Sequence, residues 1–406
     1  MEVLYPRCCG IDVHKESLVV CLRQQDSRRV QKQVESFGTT TDEIARLHAW
    51  LTAAGCTHVA MESTGVYWRP VFNLLEGTMT VVLANAQHIK AVPGRKTDVR
   101  DCEWLADLLA HGLIRASFIP PAAIRDLRDL TRHRKSLIRD RVKTTNRIHK
   151  LLETANIKLA TVVSDILGVS GRTMLRALAD GETDPARLAA LGRGSLVRKT
   201  RVLTDALRGR FTAHHAFLLT QLLTQLDHLA ALIAACDAQI AHVAQPVAAH
   251  VQRLQTIVGV GPRSAEVIVS EIGVDMTRFA SSAHLASWAR ICPGTHESAG
   301  KRRSTGTGTG NNWLRTTLLE SAWAASHSRT SYLGARYWRI AKRRGPKRGA
   351  IAVAHSILTI VYHILRDEVT FRDLGPDYFD RLDAGRQKRY YLRRLAALGC
   401  DVSQVA

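Results

Sequence analysis

Gly94-Arg95-Lys96-Thr97-Asp98-Val99-Arg100-Asp101-Cys102-Glu103-Trp104-Leu105-Ala106-Asp107 reads as a helix that opens on two carboxylates. Pro93 and Gly94 break what precedes it, Thr97 or Asp98 can cap the first amides, and Trp104, Leu105, Leu108 and Leu109 supply a buried stripe. Three residues apart, Asp98 and Asp101 share one face. Two acids side by side repel, so burying them together is costly unless a cation or a proton intervenes. Two more acids close strand-like runs upstream: Asp12 after Arg7-Cys8-Cys9-Gly10-Ile11, and Glu62 after His58-Val59-Ala60-Met61. Four acids delivered by two strand ends and one helix form an oxygen-only ligand set suited to Mg2+ or Mn2+, and such ions can pair across a phosphate.

Around that set the periodicity orders the first 121 residues. Strands are expected at Cys8 to Val13, Ser17 to Arg23 and Arg29 to Phe37, then a helix from Thr41 to Ala54 with Ile44, Leu47 and Leu51 on one face. A fourth strand, His58 to Met61, delivers Glu62, and a fifth, Thr80 to Leu83, leads to the acid-bearing helix. A three-strand meander followed by alternating helix and strand, with acids on the first and fourth strands, is the order of a ribonuclease-H-like fold. The expected class is therefore α/β in the first domain, with mainly α structure after it.

Charge divides the chain the same way. The formal net charge is +21, yet residues 1–121 hold 13 basic and 13 acidic side chains, whereas residues 122–160 hold 11 against 4 and residues 301–350 hold 12 against Glu320 alone. A neutral acidic-site domain followed by strongly basic segments implies a polyanionic partner. Eight cysteines without a Cys-x-x-Cys pair argue against disulfides and structural zinc, and the chain does not open on a signal-peptide pattern, so a reducing cytoplasm is expected. Ile351 to Leu365, the longest apolar helix, is interrupted by His355, Ser356 and His363 and reads as a core helix, with no membrane partner expected.

Gly10-Ile11-Asp12-Val13-His14-Lys15, Glu62-Ser63-Thr64-Gly65-Val66-Tyr67 and Lys96-Thr97-Asp98-Val99-Arg100-Asp101 resemble the three acidic blocks of the DEDD transposases in the 110 family of bacterial insertion sequences. The N-terminal domain of that family resembles the RuvC Holliday-junction resolvase. The resemblance implies metal ligation by Asp12, Glu62, Asp98 and Asp101. Asp107, six residues after Asp101, competes for the fourth place but points to a different face of an ideal helix. The resemblance also implies a nucleophilic serine at Ser298, within Glu297-Ser298-Ala299-Gly300, with Ser304 as rival. It further implies double-stranded donor and target DNA as substrates, a noncoding bridge RNA that chooses them, and a dimer or tetramer acting at the bacterial nucleoid.

Past Ile119-Pro120-Pro121 the composition shifts to a helical arm, residues 122–250. A coiled-coil seam is expected at Leu127, Leu130, Leu137, Ile148 and Leu151 on one helix and at Leu219, Leu222, Leu226, Leu229 and Ile233 on the other, as an antiparallel arm that can dimerise or, alternatively, as an intramolecular helix pair. The Gly-punctuated stretch Gly168 to Gly209 between them reads as short helices. A C-terminal domain, residues 251–375, opens with Ile257-Val258-Gly259-Val260-Gly261-Pro262, an apolar-Gly-x-Gly signature of a helix-hairpin-helix. There Gly259 and Gly261 let helix-start amides approach phosphate. Lys301, Arg302 and Arg303 follow Ser298 in what reads as a mobile, cationic loop rich in hydroxyls; Asn311 or Asn312 can cap the next helix, with Leu314, Leu318 and Trp323 as core and Arg315 facing phosphate. A basic aromatic tail, residues 376–406, completes the chain. Two other classes compete with a serine recombinase: a metal-dependent nuclease in which water attacks, and a nonenzymatic nucleic-acid scaffold.

Overall fold

The structure is a computed structural model that describes residues 2–26, 29–62, 65–84, 98–114, 116–293, 296–298, 301–303, 306–308, 310–382 and 384–399. For Asp98, Val99, residues 296–298, 301–303, 386 and 387 it describes the backbone alone. Pro93, Gly94, Thr97, Ser63, Thr64 and Ser304 lie outside the described residues. Two units divide the chain, Met1–Ile119 and Pro120–Ala406.

The first unit is built on strands β1 (Arg7–Val13), β2 (Ser17–Asp26), β3 (Arg29–Gly38), β4 (His58–Glu62) and β5 (Thr80–Ala84), in the spatial order β3-β2-β1-β4-β5. The first three form the expected antiparallel meander, and β4 and β5 add parallel to β1. Helices α1 (Thr41–Ala53) and α2 (Trp68–Leu75), the second not anticipated from the sequence, cover one face. Alternation along β1 explains the layering. Cys9, Ile11 and Val13 enter a core with Leu47, Leu51, Val71 and Leu75, while Cys8 turns to the opposite face and packs on Leu109 and Ala110. That opposite face is covered by α3 (Asp98–Ala110), the helix of the two acids. Its buried residues are Cys102, Leu105, Ala106, Leu108, Leu109 and Ala110; Trp104, expected in the stripe, is only half-buried.

The second unit starts with α4 (Ala122–Thr154), which pairs with α5 (Ala213–Val243). The two run antiparallel: Arg134 meets Asp237, Leu137 packs on Leu229 and Ile233, and Ile148 and Leu152 share a core with Leu219 and Leu223. The seam differs in detail from the expected one. Thr131, Thr144 and Leu152 are buried on α4 where Leu130 and Leu151 are half-buried, and Leu223 replaces Leu222 on α5. One reason is that the base of α4 packs on the C-terminal helices as well, where the Thr131 and Ser270 hydroxyls stand 3.1 Å apart. At the far end the short helices Leu159–Val162, Val169–Ala179, Pro185–Ala190 and Thr200–Leu207 build a small core from Leu159, Met174, Leu175, Leu188 and Leu203.

Beyond the helix Ala248–Leu254 come α6 (Pro262–Ile272), the two-stranded hairpin β6 (His296–Ser298) and β7 (Lys301–Arg303), α7 (Asn312–Ser326), α8 (Tyr332–Arg344) and α9 (Pro346–Asp367). Val353, Ile357 and Val361 make α9 a buried core helix. Leu314 and Leu318 of α7 are also buried, but Trp323 is 55% exposed, with edge-on ring contacts to Tyr337 and His327, which removes it from the expected core. Among the described residues α5 and α9 are long and apolar enough to cross a membrane by length and composition.

Candidate active site

Gly10 decides where the acids of the first unit go. A Cβ on it would stand 2.1 Å from the carbonyl oxygen of Cys102 and 2.6 Å from the amide of Ala106, so α3 rests directly on the β1 backbone. The contacts step along the two elements in opposite directions: Cys8 Sγ reaches the carbonyl of Ala106, at 3.5 Å, and Gly10 lies under Cys102. Side chains two apart on a strand share a face, so Asp12 is the next residue of β1 toward α3, and the helix turn still to come is the one holding Asp98 and Asp101. Cys102 is within electrostatic reach of the Asp12 carboxylate.

Glu62 arrives by the same geometry. Ile11 is in register with Met61, so Asp12 and Glu62 occupy the following positions on neighbouring parallel strands, on the face of Ala60 and Cys8. Glu62 itself pairs with Ala84 of β5. Asp12 is 17% exposed, with His14 Nε2 3.2 Å from its Oδ2. Asp98 begins α3, and Asp101 is half-buried one turn on. Among the described side chains no three of His, Cys, Asp or Glu form a ready ion cage. Asp107 is occupied elsewhere: it accepts from Arg23 Nε at 3.1 Å and Lys32 Nζ at 2.7 Å, and Arg23 is almost wholly buried. Behind the acids, burial holds the Cys8 thiol up at about 11, and the hydrogen bond from Cys21 to Cys102 pushes Cys21 upward too.

In the second unit Ser298 is the last residue of β6 and pairs with Lys301 of β7, so it stands at the turn of a cationic hairpin with Arg302 and Arg303 opposite Glu297 and His296. The segment returns through a bridge between Pro293 and Thr307. Arg315, expected to face phosphate, donates to the Gly308 carbonyl at 3.0 Å and to Thr307 Oγ1 at 2.7 Å, which makes it a brace for that return. Asn311 caps α7 by accepting from the amides of Trp313 and Leu314 at 3.0 and 3.1 Å.

The two glycines of the hairpin motif prove unequal. Gly259, at φ 89°, is pressed on α7, where a Cβ would be 2.3 Å from the Ser321 carbonyl oxygen; Gly261 caps α6 with open space beside it. The arm's cations also divide, a feature that composition hides. Arg132 pairs with Glu271, Arg134 with Asp237 and Lys135 with Glu320, so the base of α4 spends its charge on the protein. Among the described residues Arg141, Arg147 and Lys150, further along α4, have no acidic partner and are exposed.

The comparisons with known proteins agree with one another. A family model described as a DEDD transposase of IS110 type matches residues 9–157, and one described as the transposase IS116/IS110/IS902 family matches residues 251–339. The chain is 28% identical over 373 residues to a probable family 20 transposase of Pseudomonas aeruginosa, covering 89% of this chain and 94% of that one. It is 24% identical over 370 residues to the transposase for insertion sequence element IS1111A of Coxiella burnetii, covering 89% and 90%. An uncharacterized 43.6 kDa protein of insertion element IS110 in Streptomyces coelicolor is 27% identical over 327 residues, covering 72% and 75%. Matched in order by two models of one family and along most of its length by transposases, the chain belongs to the IS110 family of insertion-sequence transposases.

Proposed function

We propose that this transposase cuts and rejoins DNA through a serine ester, with Ser298 as nucleophile and Asp12, Glu62, Asp98 and Asp101 as the ligands of Mg2+ or Mn2+. The observation that supports the metal half is the Gly10 contact, because with the Cys8–Ala106 contact it sets α3 against β1 with the first turn of the helix toward the Asp12 end of the strand. The strand order β3-β2-β1-β4-β5 supports a ribonuclease-H-like, RuvC-like domain. The donors fit a hard cation: all four are carboxylates, and Cys102 beside them is engaged by Cys21. When bound, the ion would polarise a phosphate oxygen and stabilise charge developing on an attacking or leaving oxygen.

The chain's own groups supply the rest. The Ser298 hydroxyl attacks phosphorus and gives up its proton, the P–O bond to the 3′ or 5′ oxygen of the strand breaks and that oxygen leaves with one proton in exchange, and the phosphoserine ester conserves the bond energy for rejoining. Lys301, Arg302 and Arg303 are the cations nearest along the chain for the charge that develops on phosphorus. Gly261 offers an unobstructed helix start to a backbone phosphate. The free cations Arg141, Arg147 and Lys150 on the outer part of α4 support a sequence-independent grip on nucleic acid, here assigned to a bridge RNA, with the double-stranded donor and target DNA held in a dimer or tetramer.

Trapping the reaction with DNA and mapping the attachment by mass spectrometry tests this reading. A phosphodiester on Ser298, absent in Ser298→Ala, is the expected result. Strand cleavage undiminished in Ser298→Ala would assign the attack to water and make the protein a metal-dependent nuclease. Full recombination in all of Asp12→Asn, Glu62→Gln, Asp98→Asn and Asp101→Asn would remove the metal site.

A further inference from the structure

Glu271 is wholly buried at the end of α6, and its carboxylate is surrounded by donors. Arg132 of α4 donates to both oxygens, through Nε at 2.7 Å and Nη2 at 2.8 Å. Asn311 Nδ2 donates to Oε2 at 2.6 Å, and Arg128 Nε lies 3.5 Å from the same oxygen while it donates to the Ser270 carbonyl at 3.0 Å. A buried carboxylate is retained only where donors satisfy it, and apolar side chains would pack three helices together at least as well. What the polar node adds is direction. Asn311 is the residue on which the chain returning from the β6–β7 hairpin lands, and its other amide atom starts α7.

We propose that Glu271 is a positioning residue for the serine hairpin. Through Asn311 it ties the closing end of residues 293–311 to Arg128 and Arg132 of α4, so the hairpin keeps one placement relative to the arm. The consequence for chemistry rests on the Ser298 reading; the tether itself does not. A second hold acts on the same return, since Arg315 grips Thr307 and Gly308, and a Cβ on Gly310 would stand 2.6 Å from the Ala289 carbonyl oxygen. The return path is thus clamped on both sides, and Asn311 is the clamp that reaches α4.

Asn311→Ser in the full-length protein keeps a cap acceptor for α7 and removes the amide that reaches Glu271. Hydrogen exchange in peptides spanning residues 301–310 should quicken about ten-fold, the size expected for a lost hydrogen bond to a charged group, with α9 unchanged. On a plasmid bearing the element's ends, the rate of serine–DNA adduct formation should fall about ten-fold, while the affinity for DNA holds. Asn311→Asp, which sets two carboxylates together, should do the same, and Glu271→Gln in that background should restore the rate by exchanging amide and acid. Parent exchange rates in both single variants overturn the tether. Quickened exchange with parent adduct rates overturns the positioning role. Quickened exchange in the variants, with no adduct even in the parent, upholds the tether and counts against Ser298 alone.

Discussion

The α carbon of Gly10 lies beneath the carbonyl oxygen of Cys102, with room for a hydrogen and none for a methyl: a Cβ would be 2.1 Å from that oxygen. Because α3 cannot move off without exposing Leu105, Ala106 and Leu109, Gly10→Ala should destabilise the first unit by about 1–3 kcal/mol or shift the helix. A shifted helix would carry Asp98 and Asp101 with it, so recombination should fall in that case. Thermal unfolding together with a recombination assay measures both, and parent values for each would refute the contact's importance.

Asp107 separates structural acids from the proposed ligands. Asp107→Asn leaves the buried Arg23 guanidinium short of its charge partner, at roughly 1–3 kcal/mol after allowance for the partly exposed carboxylate. The expected signature is a lower unfolding midpoint with residual recombination at permissive temperature. Asp101→Asn should show the reverse, a midpoint near the parent's and no recombination.

Gly259 and Gly261 invite a paired test. Gly259→Ala forces a side chain into α7 at a positive φ and should cost stability of about 1–3 kcal/mol. Gly261→Ala meets open space, so its fold should be intact; weakened, salt-sensitive DNA binding would then reveal a phosphate contact there. Unchanged binding in Gly261→Ala would leave the motif a purely structural turn.

Thiol accessibility should follow burial. Cys8, Cys9, Cys21, Cys56 and Cys102 are buried, and burial pushes Cys8 and Cys56 up to about 11 and 12. In the native protein at pH 8 a thiol reagent should modify Cys236 and Cys292 and leave those five until denaturant is added. Peptide mapping reads this directly, and early labelling of Cys8 or Cys21 would show that the sheet opens easily.

His58 and His355 are both held below the usual histidine range by burial, with the Arg336 charge adding to the effect at His355. The unfolded chain therefore binds the proton first as pH falls. Stability is complete above about pH 6.5 and declines below it, toward the lowered native values. His58→Gln with His355→Gln should flatten the melting temperature between about pH 6.5 and 5 relative to the parent. An unaltered slope would place these rings in solvent.

Much of the first unit was legible because the strands show apolar runs bounded by turns, with acids closing the first and the fourth. Asp12, Glu62, Asp98 and Asp101 stand out as residue types before any coordinates. Composition also separates the neutral first 121 residues from the basic remainder. Packing against distant partners was not legible. Leu130 and Leu151 fit a heptad as well as Thr131 and Leu152 do; the C-terminal helices pressed on the base of α4 select Thr131, and the core of short helices at its far end selects Leu152. Likewise Arg132, Arg134 and Lys135 are cations in the sequence, but the tertiary structure turns them to Glu271, Asp237 and Glu320. Local periodicity was enough for the five strands and the acid-bearing helix, and residue chemistry for singling out four acids as candidate ligands, whereas α2 and the β6–β7 hairpin carry no such local signal. The tertiary structure decided which charges remain free for nucleic acid, because ion pairing depends on neighbours a hundred residues away.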